Sequence, residues 1–240
     1  MGKSLPYLTF DLSKKNHASI KIMRIHLQTT PNIKVVPFNY QEKLVSVFHH
    51  WLGPNDIHDE LSLYSLSWFS HGNRVKDGLN FHRGARFFIS APDMDLIKRM
   101  IDGIQKDPEI AWGMRVAEMM LEPPPDFGGR KIFFVQSPVL VKRTVDHEIE
   151  YYYPKDPESD TYMTETLQHK LQKAGKGNLE VAVKFDRGYR SQHIKLVRYK
   201  GIDKKGTLCP VIVEGDPEAV KFAWEVGVGN GTGIGFGALK

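Results

Sequence analysis

The stretch Glu122-Pro123-Pro124-Pro125-Asp126-Phe127-Gly128-Gly129 decides the fold, because the same order of elements reads off on either side of it. Three consecutive prolines remove backbone donors, and the paired glycines that follow loosen the chain, so no helix or strand runs through. On the N-terminal side, Ile25 and Leu27 alternate with polar neighbours, which predicts a strand. Asn39 is placed to cap a helix over residues 40–52, with Leu44, Val47, Phe48, Trp51 and Leu52 on one face and Gly53-Pro54-Asn55 as its stop. Residues 61–69 and 85–90 read as strands. Pro92-Asp93 opens a second helix over residues 94–105, striped by Leu96, Ile97, Met100, Ile101 and Ile104, and residues 111–121 read as a closing strand.

The C-terminal side repeats the order with one extra early strand: 131–136, 139–144, a loop or hairpin tip over 147–157, a helix over 161–173, and strands at 179–185, 194–199 and 208–213. A helix over 216–225 follows, opened by Asp216-Pro217, and a short final segment lies at 236–239. Two strand-helix-strand-strand-helix-strand units make an α+β, tandem ferredoxin-like fold, with a domain at 23–124 and another at 125–240. Residues 1–22 read as an extension or leader, with an apolar patch too short for a secretory signal. The fold alone assigns no activity.

Composition bounds the class. The chain has 240 residues, 41% hydrophobic and 25% charged, which are globular values. No apolar run reaches the ~18 residues of a membrane helix. The single cysteine, Cys209, excludes an internal disulfide and a cysteine zinc site, and fits a reducing, cytoplasmic setting. Net charge is +5, but the block from Glu165 to Lys205 holds eleven Lys/Arg against four acids, a local +7 that leaves −2 for the rest. A one-signed block on a balanced background is the pattern of nucleic-acid contact, against the plainer reading of a solvated face.

Two motifs bear on chemistry. The first is the run from Gly227 to Gly237, with glycine at every second position. No Gly-Lys-Ser/Thr follows, so it is not a P-loop. Gly233 to Ala238 fits G-x-G-x-x-A only formally, since no helix follows to receive a pyrophosphate. Its spacing between ordered elements favours a backbone that approaches a phosphate-bearing ligand over a flexible turn. The second is His49, His50 and His58 around the end of the first helix. Two neighbouring imidazoles can divide general-base and general-acid work near neutral pH. His50, His58 and Asp59 also form a metal-ligand alternative, without a helical His-x-x-x-His spacing to support it.

Together these features resemble the CRISPR-associated endoribonucleases that process precursor crRNA, in the repeat-associated mysterious protein superfamily. The likeness is carried by Met23-Arg-Ile-His-Leu27, by Val36-Pro-Phe-Asn-Tyr-Gln41 with Leu63-Tyr-Ser-Leu66, and by Gly227-Val-Gly229 with Gly233-Ile-Gly-Phe-Gly237. The resemblance implies cleavage of repeat RNA without metal or cofactor. The 2′-hydroxyl attacks the adjacent phosphorus, leaving a 2′,3′-cyclic phosphate and a 5′-hydroxyl. It implies His58 and His49 as the catalytic pair, with His50 as the alternate. It leaves the family's lysine unfilled, since Asp59-Glu60-Leu61 offers none and neither Lys43 nor Lys76 is placed in the site by the sequence. RNA contacts are expected from Lys184, Arg187, Arg190, Lys195 and Arg198, and from Gly229, Gly231, Gly233, Gly235 and Gly237. The implied partner is a precursor crRNA repeat; a CRISPR effector complex and a homodimer are compatible, a membrane is not. The competing reading is a catalytically silent RNA-binding subunit of such a complex. An unrelated tandem RNA-recognition protein would carry a Lys/Arg-Gly-Phe-aromatic motif that the sequence lacks.

Overall fold

The structure is a computed structural model and describes residues 23–55, 57 and 61–240. The first unit runs β1 (Arg24–Thr29), α1 (Gln41–Leu52), β2 (Ser65–Leu66), a small hairpin of β3 (Asn73–Val75) and β4 (Gly78–Asn80), β5 (Arg86–Ser90), α2 (Met94–Lys106), β6 (Glu109–Ala111) and β7 (Met114–Glu122). Its sheet has the order β2-β5-β1-β7-β6, antiparallel throughout. That is the 2-3-1-4 order of a ferredoxin-like unit with β6 added at one edge. Ile25, Leu27, Phe87 and Ile89 alternate into one face and bury against Leu44, Phe48, Ile97 and Met100 of the helices.

The second unit runs β8 (Arg130–Phe133), β9 (Lys142–Val145), β10 (Glu148–Tyr151), α3 (Glu158–Lys173), β11 (Val181–Phe185), β12 (His193–Tyr199), β13 (Ile202–Leu208), β14 (Val211–Gly215) and α4 (Pro217–Val226), with a 3₁₀ turn at Thr232–Ile234. Its sheet is β11-β14-β8, and a bridge between Val135 and Leu239 lays the last residues beside β8's continuation, completing 2-3-1-4 again. Phe133, Val183, Val211 and Val213 pack on Met163, Leu167 and Leu171 of α3 and on Val220 and Ala223 of α4. The fold is therefore a tandem ferredoxin-like pair. Among the described residues no helix is long and apolar enough to cross a membrane.

Several elements depart from the sequence expectation for local reasons. The helix expected from residue 40 begins at Gln41 without a side-chain cap, and Tyr40 instead stacks on Phe69 at 4.7 Å and accepts the Phe69 amide at 2.9 Å. The strand expected over 61–69 shrinks to Ser65–Leu66, because Trp68 leaves the sheet. Its amide donates to Gln136 O and its indole to Gly235 O. The strand expected at 111–121 is a hairpin turning at Trp112-Gly113, both at positive φ. The strand expected at 208–213 is cut by Pro210 into β13 and β14, and the loop expected at 147–157 begins with β10, paired to β9.

The two units meet at the C-terminus of α4. The last turn of a helix leaves carbonyls without intrahelical donors. Here Ala223 O accepts the Gly227 amide, Trp224 O accepts Arg24 Nη2 at 2.9 Å, Glu225 O accepts Ser65 Oγ at 3.2 Å and Val226 O accepts Lys170 Nζ at 3.0 Å. Arg24 also donates to Leu239 O at 2.9 Å, and its guanidinium lies between the Phe88 and Trp224 rings, 3.9 and 3.6 Å from their centroids. Burial lowers its pKa to about 9. Removing it leaves two buried carbonyls without a donor and opens a gap between aromatic rings, so Arg24→Ala should lose roughly 3–5 kcal/mol of stability. Urea unfolding of the purified variant measures this; a loss below about 1 kcal/mol would show that the units do not depend on it.

Candidate functional site

α1 carries two of the three expected histidines. It buries Leu44, Val47, Phe48 and Trp51, which leaves His49 and His50 on the flanks. His49 is half-buried, its ring edge-on to Phe48 at 5.0 Å and its Nδ1 3.2 Å from Asn55 Oδ1. Asn55 is itself held by Gly53 O at 2.6 Å. His50 turns the other way, toward the end of α2, with Nε2 2.9 Å from Asp107 Oδ2. The Glu109 amide and then His50 hold the Asp107 carboxyl below its usual range. The structure thus separates the two: His49 faces the loop after α1, while His50 is an exposed tie to α2, of the kind that contributes little energy. His58, with Asp56, Asp59 and Glu60, lies outside the described residues. On the far side of that segment, Lys173 Nζ of α3 donates to Leu61 O at 3.2 Å. Sequence reading missed Lys173, whose only signal was its place in the basic block. Lys43 lies exposed on α1, and Lys76 lies at the β3–β4 turn.

The glycine loop is a seam between the units. Gly229, Gly233, Gly235 and Gly237 are buried, and only Gly231 is partly exposed. A Cβ at Gly233 would stand 2.3 Å from Ser62 Oγ, and one at Gly237 would stand 1.9 Å from Val228 O at a φ of 61°. The amides of Gly235 and Gly237 donate to Thr232 O and Pro138 O. The alternation therefore answers close packing and left-handed backbone, and those two amides are not presented to a phosphate as the sequence reading expected. Thr232 Oγ1 donates to Tyr64 O at 2.9 Å and receives Lys170 Nζ at 2.8 Å.

The five expected basic residues do not share one face. Lys184 lies on β11, whose neighbour is β14 rather than β12, because β12 and β13 form a hairpin inserted between strands two and three of the unit. Lys184 pairs with Glu214 at 3.1 Å, Arg198 pairs with Asp203 at 2.8 Å, and Arg187 is tied to Asp160 and to Pro154 O. Arg190 and Lys195 are exposed.

Sequence reading also missed an open groove of about 320 Å³ on the face of the first sheet turned away from its helices, lined by His26, Gln28, His71, Arg86, Met120 and Lys240 among others. Alternation with Ile25 and Leu27 already placed His26 on that outer face. Its Nε2 is 2.6 Å from Glu122 Oε2, and its ring is edge-on to Phe88 at 5.8 Å. Arg86 Nε donates to Gln28 Oε1 at 2.5 Å.

Two ferredoxin-like units locked through a glycine-rich C-terminal seam are the tandem architecture that the resemblance implied. Residues 122–240 match the family model for the C-terminal part of the CRISPR-associated protein Cas6. A CRISPR-associated endoribonuclease-like protein Cas6 of Pyrococcus furiosus is 26% identical over 242 residues, covering 92% of this chain and 97% of its own. The solved structure of a Cas6-related gene product of Pyrococcus furiosus superposes with a TM-score of 0.80 at 20% identity, covering 91% of this chain and 98% of its own. A Thermus thermophilus Cas6 product complex gives a TM-score of 0.64 at 15% identity, covering 92% and 100%. Residues 122–240 belong to the Cas6 C-terminal family, and the chain as a whole is similar to Cas6 CRISPR-associated proteins.

Lys170 gives a pH test of the seam. Burial lowers its pKa from 10.5 to about 7. Between those values the unfolded chain binds the proton and the folded one does not, so this group makes stability rise with pH there, by at most about 1.4 kcal/mol per unit. Relative to Lys170→Met, wild type should gain unfolding free energy from pH 7 to pH 10. A pH-independent difference would show that the amine is charged in the fold throughout.

Proposed function

We propose that the protein is an endoribonuclease that cleaves CRISPR repeat RNA to generate crRNA, without a metal ion. The observation that supports this most is the match to a Cas6 relative over 92% of the chain. In this reading a base removes the proton of the 2′-hydroxyl, the 2′-oxygen bonds to phosphorus, and the 5′-oxygen leaves with a proton from an acid. We assign His58 and His49 to this pair. His49 suits the task because Asn55, three residues before His58 in the sequence, fixes its ring. His50, held by Asp107, is the weaker alternate. Lys173, which donates to Leu61 O, is the cation we assign to the developing phosphorane charge.

The groove on the other face of the first sheet is where we place a single-stranded portion of the repeat. The sheet stands between groove and α1, so bound RNA must pass round an edge to be cut. Arg190 and Lys195 are the strongest candidates for added phosphate contacts, because Lys184, Arg187 and Arg198 are already paired to carboxylates. In the glycine loop, Gly231 is the residue we retain for direct contact.

Incubation with a panel of CRISPR repeat RNAs in EDTA tests the reading. Site-specific cleavage with a cyclic phosphate end is expected, and a 2′-deoxy substitution at the cut should leave RNA bound but intact. Loss of cutting in EDTA, or cutting of the deoxy substrate, would overturn the mechanism. Binding without any cutting would support the silent RNA-binding subunit instead. His58→Ala and His49→Ala should each lower the single-turnover rate by ~10²–10⁴-fold with affinity retained. A fully active His58→Ala protein would remove the central assignment.

A further inference from the structure

The outer face of the second sheet carries an exposed aromatic, Phe134. Phe133 and Val135 point into the core, so Phe134 between them points outward, and it is 58% exposed. The bridge between Val135 and Leu239 sets Phe134 opposite Lys240 on that face, and Asp186 N donating to Pro210 O sets Pro210 in the same row. Tyr189, in the turn after β11, meets Phe134 with ring centroids 6.2 Å apart at 82°. Edge-on contact fixes the Phe134 ring from one side and leaves a flat face open. Ile132, 40% exposed, lies two residues back on the same face, in register with Ile212 and Lys184. Gln136, two residues on, lines the groove of the first sheet, as does Lys240. The groove thus leads on to Phe134.

We infer that Phe134 is a stacking platform for one unpaired nucleobase of the RNA, flanked by Lys240 and by the turn that carries Arg190. This rests on the RNA reading above and adds the subsite to it. A nucleobase matches the surface better than a protein partner does. The exposed ring has Lys240 opposite it on one side, Pro210 and then Asp186 complete the row on the other, and the turn that carries Tyr189 also carries the exposed Arg190. Stacking on an aromatic with phosphates held by neighbouring cations is how single strands bind open sheet faces.

The test uses the full chain and a fluorescein-labelled single-stranded CRISPR repeat RNA that wild type binds. Stacking of one base should make Phe134→Ala bind about 5- to 150-fold more weakly, with Phe134→Trp near wild type. An RNA scanned with abasic nucleotides should lose affinity for wild type at one position and lose nothing further there for Phe134→Ala. Unchanged affinity in Phe134→Ala overturns the subsite while leaving RNA binding standing. An equal loss in Phe134→Trp overturns it too, since shape rather than stacking would then be at work. If wild type binds no repeat RNA, both readings fail. If Phe134→Ala instead alters self-association with RNA affinity intact, the face is a protein interface and the assignment is wrong.

Discussion

Everything in this structure depends on how one helix ends. The C-terminus of α4 concentrates partial negative charge on its last carbonyls, and a buried helix end needs donors for them. Three donors come from three different elements: Arg24 at the start of the chain's first strand, Ser65 on β2 and Lys170 on α3. Two of the three belong to the first unit and α4 belongs to the second. The units are therefore joined by hydrogen bonds that cannot be exchanged for water without opening the interior. A hydrophobic contact would tolerate sliding by an ångström; a guanidinium held between two rings while donating to two carbonyls does not.

That lock dictates what the remaining surface can do. The second unit covers the end of the outer face of the first sheet where Arg24 lies against Trp224, and leaves the stretch from Phe88 onward open as the groove. The glycine run then has to pass through the seam behind α4, between Tyr64, Trp68 and Leu140. Its alternating glycines are the residues that fit. The helices of the first unit occupy the opposite side, so His49 and the groove are separated by a sheet. In the proposed reaction, holding RNA and cutting it fall to different faces of one unit.

The sequence was legible where local period and burial coincide. Both ferredoxin-like units were readable from the stripes of α1 and α2, from Asp216-Pro217 and from the break at 122–129, because amphipathic period needs no tertiary information. It was less legible where a residue serves a distant partner. Trp68 reads as strand and instead crosses to Gly235; Tyr40 reads as the first residue of a helix and instead stacks on Phe69. The glycine loop was visible but its cause was not, since a close approach to protein and a close approach to phosphate ask for the same residue. His26 stood in a quoted motif, yet its role as groove lining needed the neighbouring strands. The helical period already sets the neighbours His49 and His50 on opposite flanks of the apolar stripe, but the partners they find, Asn55 and Asp107, needed the packing.

Counting charges along the chain overstates what a partner can feel. Of the block that sums to +7, Lys170 is buried in the seam, Arg187 holds α3 through Asp160, Arg198 is matched by Asp203 across its own hairpin, and Lys176 pairs with Glu218. Several of the acids they meet lie outside the block, so the excess was counted before its partners were known. Each such pair has its counter-charge already in place, and an arriving phosphate must compete with it. The cations left to act on a polyanion are fewer and more scattered. In the proposed reading an apolar platform between them, rather than charge density, fixes where an RNA strand sits, and Phe134 beside Lys240 is the one we assign on the sheet face that the α4 lock leaves uncovered.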